Sequence, residues 1–282
     1  MKCINKWICL SLLIAVSCVS GCGKTSAAIE QPYDVYATAA DFGLSSNGTA
    51  EAKSYFASNL CVSEDVAIGT DSTDSQVAEG AGTFNLETNT VVYAKNLYER
   101  LYPASTTKIL TAYIALKYCD DLDAMVTVSE NAVNQASDSS VCNLKAGDVI
   151  RLRDLLYGLM LRSGNDAAVA IAEYISGDVD SFAALMNQEA AAMGATRSHF
   201  VNPNGLPDEN HYTCVYDMYL IFSNAIKNDT FVSIIGTTSY DVTYTDASGE
   251  AVTHTWENTN QYLTGNATTP DGFQIVGGKT GT

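Results

Sequence analysis

With 282 residues, of which 46% are hydrophobic and 17% charged, the chain is long enough to bury a sizeable core in one large domain or two. Its formal charge of -17 excludes nucleic acid and anionic membrane surfaces as electrostatic partners. Any anionic ligand must therefore be held by locally placed cations.

The N-terminus reads as a targeting signal. Lys2 and Lys6 precede an apolar stretch, Trp7 to Val19, that is short for a membrane span and ends in Val19-Ser20-Gly21-Cys22. That ending resembles a bacterial lipobox, which implies a signal over residues 1–22, lipidation of Cys22 and a membrane anchor. The alternatives are an ordinary secretory signal or a signal anchor with an incidental cysteine. Each route carries the chain out of the cytoplasm, and losing Lys2 and Lys6 takes the formal charge from -17 to -19. Past Cys22 the cysteines are Cys61, Cys119, Cys142 and Cys214, widely spaced and without C-x-x-C, which argues against a metal cluster. Export permits disulfides, and the spacing chooses neither a pairing nor free thiols. His199, His211 and His254 are scattered, with no H-E-x-x-H, and read as structural or surface residues; no metal or cofactor is expected.

Residues 23–79 are rich in Ala, Ser, Thr, Asp and Gly and read as a flexible tether with one helix near Ala50 to Asn59. Order is expected from Gly80. Ala81 to Leu86 and Val91 to Ala94, separated by Glu87-Thr88-Asn89-Thr90, read as a hairpin. Pro103-Ala104-Ser105-Thr106-Thr107-Lys108 then opens an apolar helix. Positions three apart share a helical face, so the Ser105 hydroxyl can meet the Lys108 amine: a nucleophile beside a base, at a helix start with free N–H groups. Taken by itself, the hexapeptide favours Ser105 as a cap and Lys108 reaching solvent.

Leu122 to Val128 reads as extended, with Ser129 capping a helix over Glu130 to Gln135, and Val149-Ile150 as β-prone. A helical block follows: Arg153 to Leu161, a break at Ser163-Gly164-Asn165, Asp166 to Ile175 stopping at Gly177, Ser181 to Met193 closed by Gly194, and Val215 to Lys227. Asn202-Pro203-Asn204-Gly205 is a turn. From Phe231 the texture becomes β, with strands at Tyr240 to Tyr244 and Val252 to Trp256 and a strand-like run from Gly272 to Thr282. The expected class is α+β: N- and C-terminal strands in one antiparallel sheet, flanked by helices, with a helical subdomain.

Three motifs fall in order: Ser105-Thr106-Thr107-Lys108, Ser163-Gly164-Asn165 and Lys279-Thr280-Gly281. This combination marks penicillin-binding proteins and class A β-lactamases. From about Gly80 onward the chain resembles the D-alanyl-D-alanine carboxypeptidases of the low-molecular-mass penicillin-binding type, serine peptidase family S11. The likeness extends to Asp154-Leu155-Leu156-Tyr157-Gly158-Leu159-Met160, Phe200-Val201-Asn202-Pro203-Asn204-Gly205-Leu206 and Asn210-His211-Tyr212-Thr213. Gly164 favours this family over class A β-lactamases, which usually carry Asp there and use a further Glu on a loop.

The resemblance implies a DD-peptidase/β-lactamase-like fold over residues 80–282. It implies attack by Ser105 on the carbonyl between two D-alanines, Lys108 as base, and Ser163 relaying a proton. Asn165 would bind the substrate backbone, and Lys279 and Thr280 the terminal carboxylate. The Ser105 and Thr282 amides would form the oxyanion hole. The substrate would be a peptidoglycan stem peptide and β-lactams would be inhibitors. A β-lactamase and a non-catalytic wall lipoprotein are the alternatives. Asp166 is expected to cap a helix, while Arg162 and His211 are candidates to lie near the cleft. The family continues beyond its K-T-G strand, so the resemblance also implies that C-terminal strands of the sheet are missing here and that the chain alone is poorly stable.

Overall fold

The computed structural model describes residues 57–69 and 78–281; the signal, Cys22 and Thr282 lie outside the described residues, as does most of the expected helix near residue 50. Strand β1 (Ala81–Asn85) pairs antiparallel with β2 (Thr90–Lys95), the expected hairpin, with a bulge between Thr83 and Phe84. Ordered structure extends earlier than Gly80. Ile68 pairs with Ala94 on the other side of β2, Cys61 is fully buried, and the Tyr98 hydroxyl donates to the Ser63 carbonyl. Ile68 takes up the free edge of β2 and Cys61 packs on Tyr219 and Leu220, which accounts for order in a stretch that composition assigned to a tether.

A short 3-10 turn, Ala104–Thr107, runs directly into α1 (Lys108–Tyr118). This helix buries Lys108, Ile109, Leu110, Thr111, Ala112, Ile114 and Ala115, so it is covered nearly all round, as a central helix must be. Strand β3 (Met125–Thr127) and α2 (Glu130–Val133) follow. Ser129 caps α2, its hydroxyl accepting from the Ala132 N–H at 2.9 Å. Next come β4 (Val149–Arg151), α3 (Leu152–Leu161), α4 (Asn165–Ser176), α5 (Val179–Ala192) and α6 (Val215–Ala225). Gly177 (φ +87°) ends α4 and Gly194 (φ +84°) follows α5, as their sequence positions predict. Helix α1 packs against α3, α4, α5 and α6, and the core includes the fully buried Phe182 and Phe231. Burying one such ring contributes roughly 1.5–3 kcal/mol.

Further expectations need correction. The stretch at Phe231 is helical: α7 (Asp229–Ile235) is capped by Asn228, whose Oδ1 accepts from the Thr230 and Phe231 N–H groups. That cap, with Phe231, Ile234 and Ile235 buried on one side, outweighs the β-branched composition. The strands also form two sheets instead of one: β1–β2, and β3–β4–β5–β6 with β5 (Ser239–Thr245) and β6 (Ala251–Glu257). Strand β5 joins β4 through Val149 and Thr245, so the C-terminal hairpin extends the sheet begun at β3.

The segment expected as a final strand forms no ladder with any described strand. It lies instead against the end of α7. A Cβ on Gly277 would stand 2.6–2.8 Å from Ile235 atoms, and one on Gly236 would stand 2.7 Å from the Val276 carbonyl. The two glycines permit this backbone approach.

Candidate active site

Pro103 (φ -71°) begins the 3-10 turn, Ala104 takes φ +48°, and the turn continues without interruption into α1. The i,i+3 spacing does what it predicts: Lys108 Nζ lies 2.9 Å from Ser105 Oγ. Lys108 is fully buried, and its amine has two other neighbours, Asn165 Oδ1 at 2.8 Å and the Asn204 carbonyl at 2.6 Å. Both of those can only accept. A neutral amine has two N–H donors and one lone pair, so donating to Asn165 and Asn204 leaves the lone pair facing the Ser105 hydroxyl. Burial, and secondly the charge of Lys279, push the Lys108 pKa down to about 7, so the neutral form is accessible near neutrality.

Asn165 heads α4, and its N–H donates to the Ser140 carbonyl at 2.8 Å. Because Oδ1 is engaged by Lys108, the amide NH2 is left for the cleft that Asn165 lines. Ser163 occupies the break between α3 and α4 with φ +59°, and its Oγ accepts from Lys279 Nζ at 2.9 Å. Burial holds Lys279 at about 8. Thr280 Oγ1 shares a hydrogen bond with Thr259 Oγ1 at 2.6 Å. A Cβ on Gly281 would meet Thr106 Cγ2 at 3.3 Å and the Pro103 carbonyl at 3.4 Å, so the third motif runs beside the turn that carries Ser105.

A cleft of about 400 Å³ opens above Ser105, lined also by Tyr102, Asn165, Asn204, Leu206 and His211 among others. Arg162 is exposed and does not line it. Asp166 plays no part there. Its carboxylate accepts the N–H groups of Cys142, Leu144 and Ala167, and so ties the loop after α2 to the start of α4. Gly164 is required by that loop. A Cβ there would stand 2.4 Å from Cys142 Sγ, and one on Gly158 would stand 2.6 Å from the same sulfur and 3.1 Å from the ring of Trp256. The thiols of Cys61, Cys119, Cys142 and Cys214 are free.

Sequence reasoning missed the contribution of the Asn202–Gly205 turn. The Asn204 carbonyl holds Lys108, and the Pro203 carbonyl accepts from Thr111 Oγ1 at 2.7 Å. Gly205 (φ +86°) is in such close contact that a Cβ would fall 1.8 Å from the Ala104 carbonyl oxygen. The turn dipeptide Asn-Gly was the visible signal. His211 is fully buried and ties both sides. Its Nδ1 accepts from the Val201 N–H at 3.1 Å, which leaves Nε2–H to donate to Thr107 Oγ1 at 2.9 Å. Burial pushes its pKa down to about 4, so the ring stays neutral.

Residues 69–282 match the family model described as D-alanyl-D-alanine carboxypeptidase. The chain belongs to this family. It is 35% identical over 164 residues to the D-alanyl-D-alanine carboxypeptidase DacF of Bacillus subtilis, covering 57% of this chain and 42% of that one. It is 37% identical over 196 residues to the D-alanyl-D-alanine carboxypeptidase of a Streptomyces species (strain K15), covering 66% and 67%. The chain thus spans less than half the length of the first of these carboxypeptidases. Its fold is similar to the crystal structure of the Streptomyces K15 DD-transpeptidase, with a TM-score of 0.65 and 34% identity over 72% of this chain and 79% of that one.

Proposed function

We propose that the chain is a serine D-Ala-D-Ala carboxypeptidase, exported and tethered to the membrane through a lipid on Cys22, that trims peptidoglycan stem peptides. The observation that carries this reading is the fixed lone pair of Lys108. With Asn165 Oδ1 and the Asn204 carbonyl taking its two N–H groups, the amine can only accept from Ser105. Ser105 Oγ attacks the carbonyl between the two D-alanines as its proton passes to Lys108 Nζ. The Ser105 amide, in the first helical turn, and the Thr282 amide stabilise the oxyanion; losing one such donor costs about 3 kcal/mol.

Ser163 returns a proton to the leaving amine, and D-alanine departs. Water then cleaves the acyl ester and frees Ser105. The Asn165 NH2 receives the substrate backbone, and the Lys279 ammonium and Thr280 hydroxyl hold the terminal carboxylate, offsetting the acidic field of the whole chain. A β-lactam acylates the same serine and leaves slowly. The name of the Streptomyces structure, a DD-transpeptidase, supports a second outcome in which an amine takes the place of water.

Fluorescent penicillin tests the reading. Stable labelling that disappears in Ser105→Ala, together with D-alanine release from a peptide ending in D-Ala-D-Ala, supports it. Rapid turnover of the probe points to a β-lactamase. No labelling of a version of the protein shown to melt cooperatively rejects both enzymes in favour of a non-catalytic wall protein. Adding an amine acceptor during peptide turnover separates hydrolysis from transpeptidation.

A further inference from the structure

His211 borders the cleft, yet it has no bonding capacity left for a ligand. A neutral imidazole carries one acceptor and one donor. Nδ1 accepts from the Val201 N–H and Nε2–H donates to Thr107 Oγ1, so both are spent. The ring is 1% exposed and meets the Phe200 ring edge-on at 81°, which fixes its plane. A side chain placed in this way acts through what its two bonds hold.

Those bonds end on the two segments that orient Lys108. Thr107 is the residue before it, where the 3-10 turn passes into α1. Val201 leads into the Asn202–Gly205 turn, whose Asn204 carbonyl takes an N–H of the Lys108 amine. The turn is braced within itself: Asn202 Oδ1 accepts from the Gly205 N–H at 2.7 Å, and Asn202 Nδ2 donates to the Leu206 carbonyl at 3.0 Å. It therefore shifts as a unit if it shifts at all. A Cβ on Gly205 would stand 2.9 Å from Thr107 Oγ1, so the hydroxyl that receives the imidazole proton also packs against the turn. The imidazole is a strut of fixed length between the residue before the base and the backbone that leads into the turn aiming it.

We propose that His211 is a positioning residue for acylation: by fixing Val201 against Thr107 it keeps the Asn204 carbonyl on Lys108 Nζ, and so keeps the lone pair of the amine on Ser105. This rests on the reading of Ser105 and Lys108 as nucleophile and base. No proton passes through the ring, and no covalent step is added.

The test follows acylation of the folded protein by fluorescent penicillin, resolved into the rate at saturation and the half-saturating concentration. Thr107→Val removes the hydroxyl that Nε2–H reaches, and His211→Leu removes both bonds. Each should lower the saturating rate by about tenfold to a hundredfold, the cost of displacing a reacting group by up to about 1 Å. The half-saturating concentration should not change, because Asn165, Lys279 and Thr280 are untouched. The two losses should not add in the double variant, since both cut the same strut. His211→Gln, whose amide also offers an acceptor and a donor, should recover most of the rate. In the unmodified protein, NMR of the imidazole nitrogens should show His211 protonated on Nε2. An Nε2 without the proton overturns the proposal, whether or not the variants fold. So does an undiminished saturating rate in folded Thr107→Val, a pair of additive losses, or a change confined to the half-saturating concentration, which would make the ring a ligand contact. No acylation of unmodified protein that melts cooperatively overturns the reading of Ser105 and Lys108, and this inference with it.

Discussion

The proposed mechanism makes acylation depend on pH through two lysines. On that mechanism Lys108 would act as a base only when neutral, and its pKa is pushed down to about 7 by burial and by the charge of Lys279. Lys279 would hold a carboxylate only when charged, and burial lowers it to about 8. Raising the pH through the first value creates the base; raising it through the second discharges the anchor. With these values the productive fraction peaks near pH 7.5 at about 0.6 and falls to about 1% at pH 5. The second-order rate of fluorescent penicillin labelling, measured from pH 5 to 10, should therefore be bell-shaped with a drop of roughly fiftyfold or more on the acid side. Lys279→Gln removes the positive neighbour of Lys108, so the acid limb should move above pH 7 while the alkaline limb is lost along with most of the rate. A flat profile between pH 5 and 7, or an acid limb unmoved in Lys279→Gln, would refute the reasoning.

Two further outcomes test the scaffold around Lys108. Gly205→Ala places a methyl group on the Ala104 carbonyl at a positive φ. It should cost at least about 1–2 kcal/mol in denaturant melts and slow labelling as the Asn204 carbonyl withdraws from Lys108. Asp166→Asn turns an NH2 toward backbone N–H groups that need acceptors; it should destabilise by about 1–3 kcal/mol. It should also weaken peptide binding through the Ser140 loop, which penicillin titration together with thermal melts would register.

Much of this site was legible because side chains carry it. Ser105, Lys108, Ser163, Asn165 and Lys279 are named by motif, and the i,i+3 rule brings the first two together. The unread parts are backbone. The Asn204 carbonyl, which fixes the orientation of Lys108, has no signature beyond an ordinary turn sequence. Asn165 was expected to bind the substrate backbone, and its further contact, the oxygen committed to Lys108, had no signal in the motif. Helix starts were readable where a capping side chain announced them, as at Ser129. At Asn228 the same signal was present, but the β-branched residues after it drew the reading toward a strand. Sheet partition was not readable, since strand pairing depends on which edges the helices leave open.

The sulfur of Cys142 and the indole of Trp256 both press on Gly158, one turn before the Ser163 break. Trp256 is buried, and the only other tryptophan of the sequence is Trp7. The packing that forbids a side chain at position 164 thus provides an internal optical gauge. In the chain with Trp7 replaced, the emission of the one remaining indole, close to a thiol, would report the spacing between the loop that lines the cleft and the helix that leads to Ser163, with no label added to the molecule.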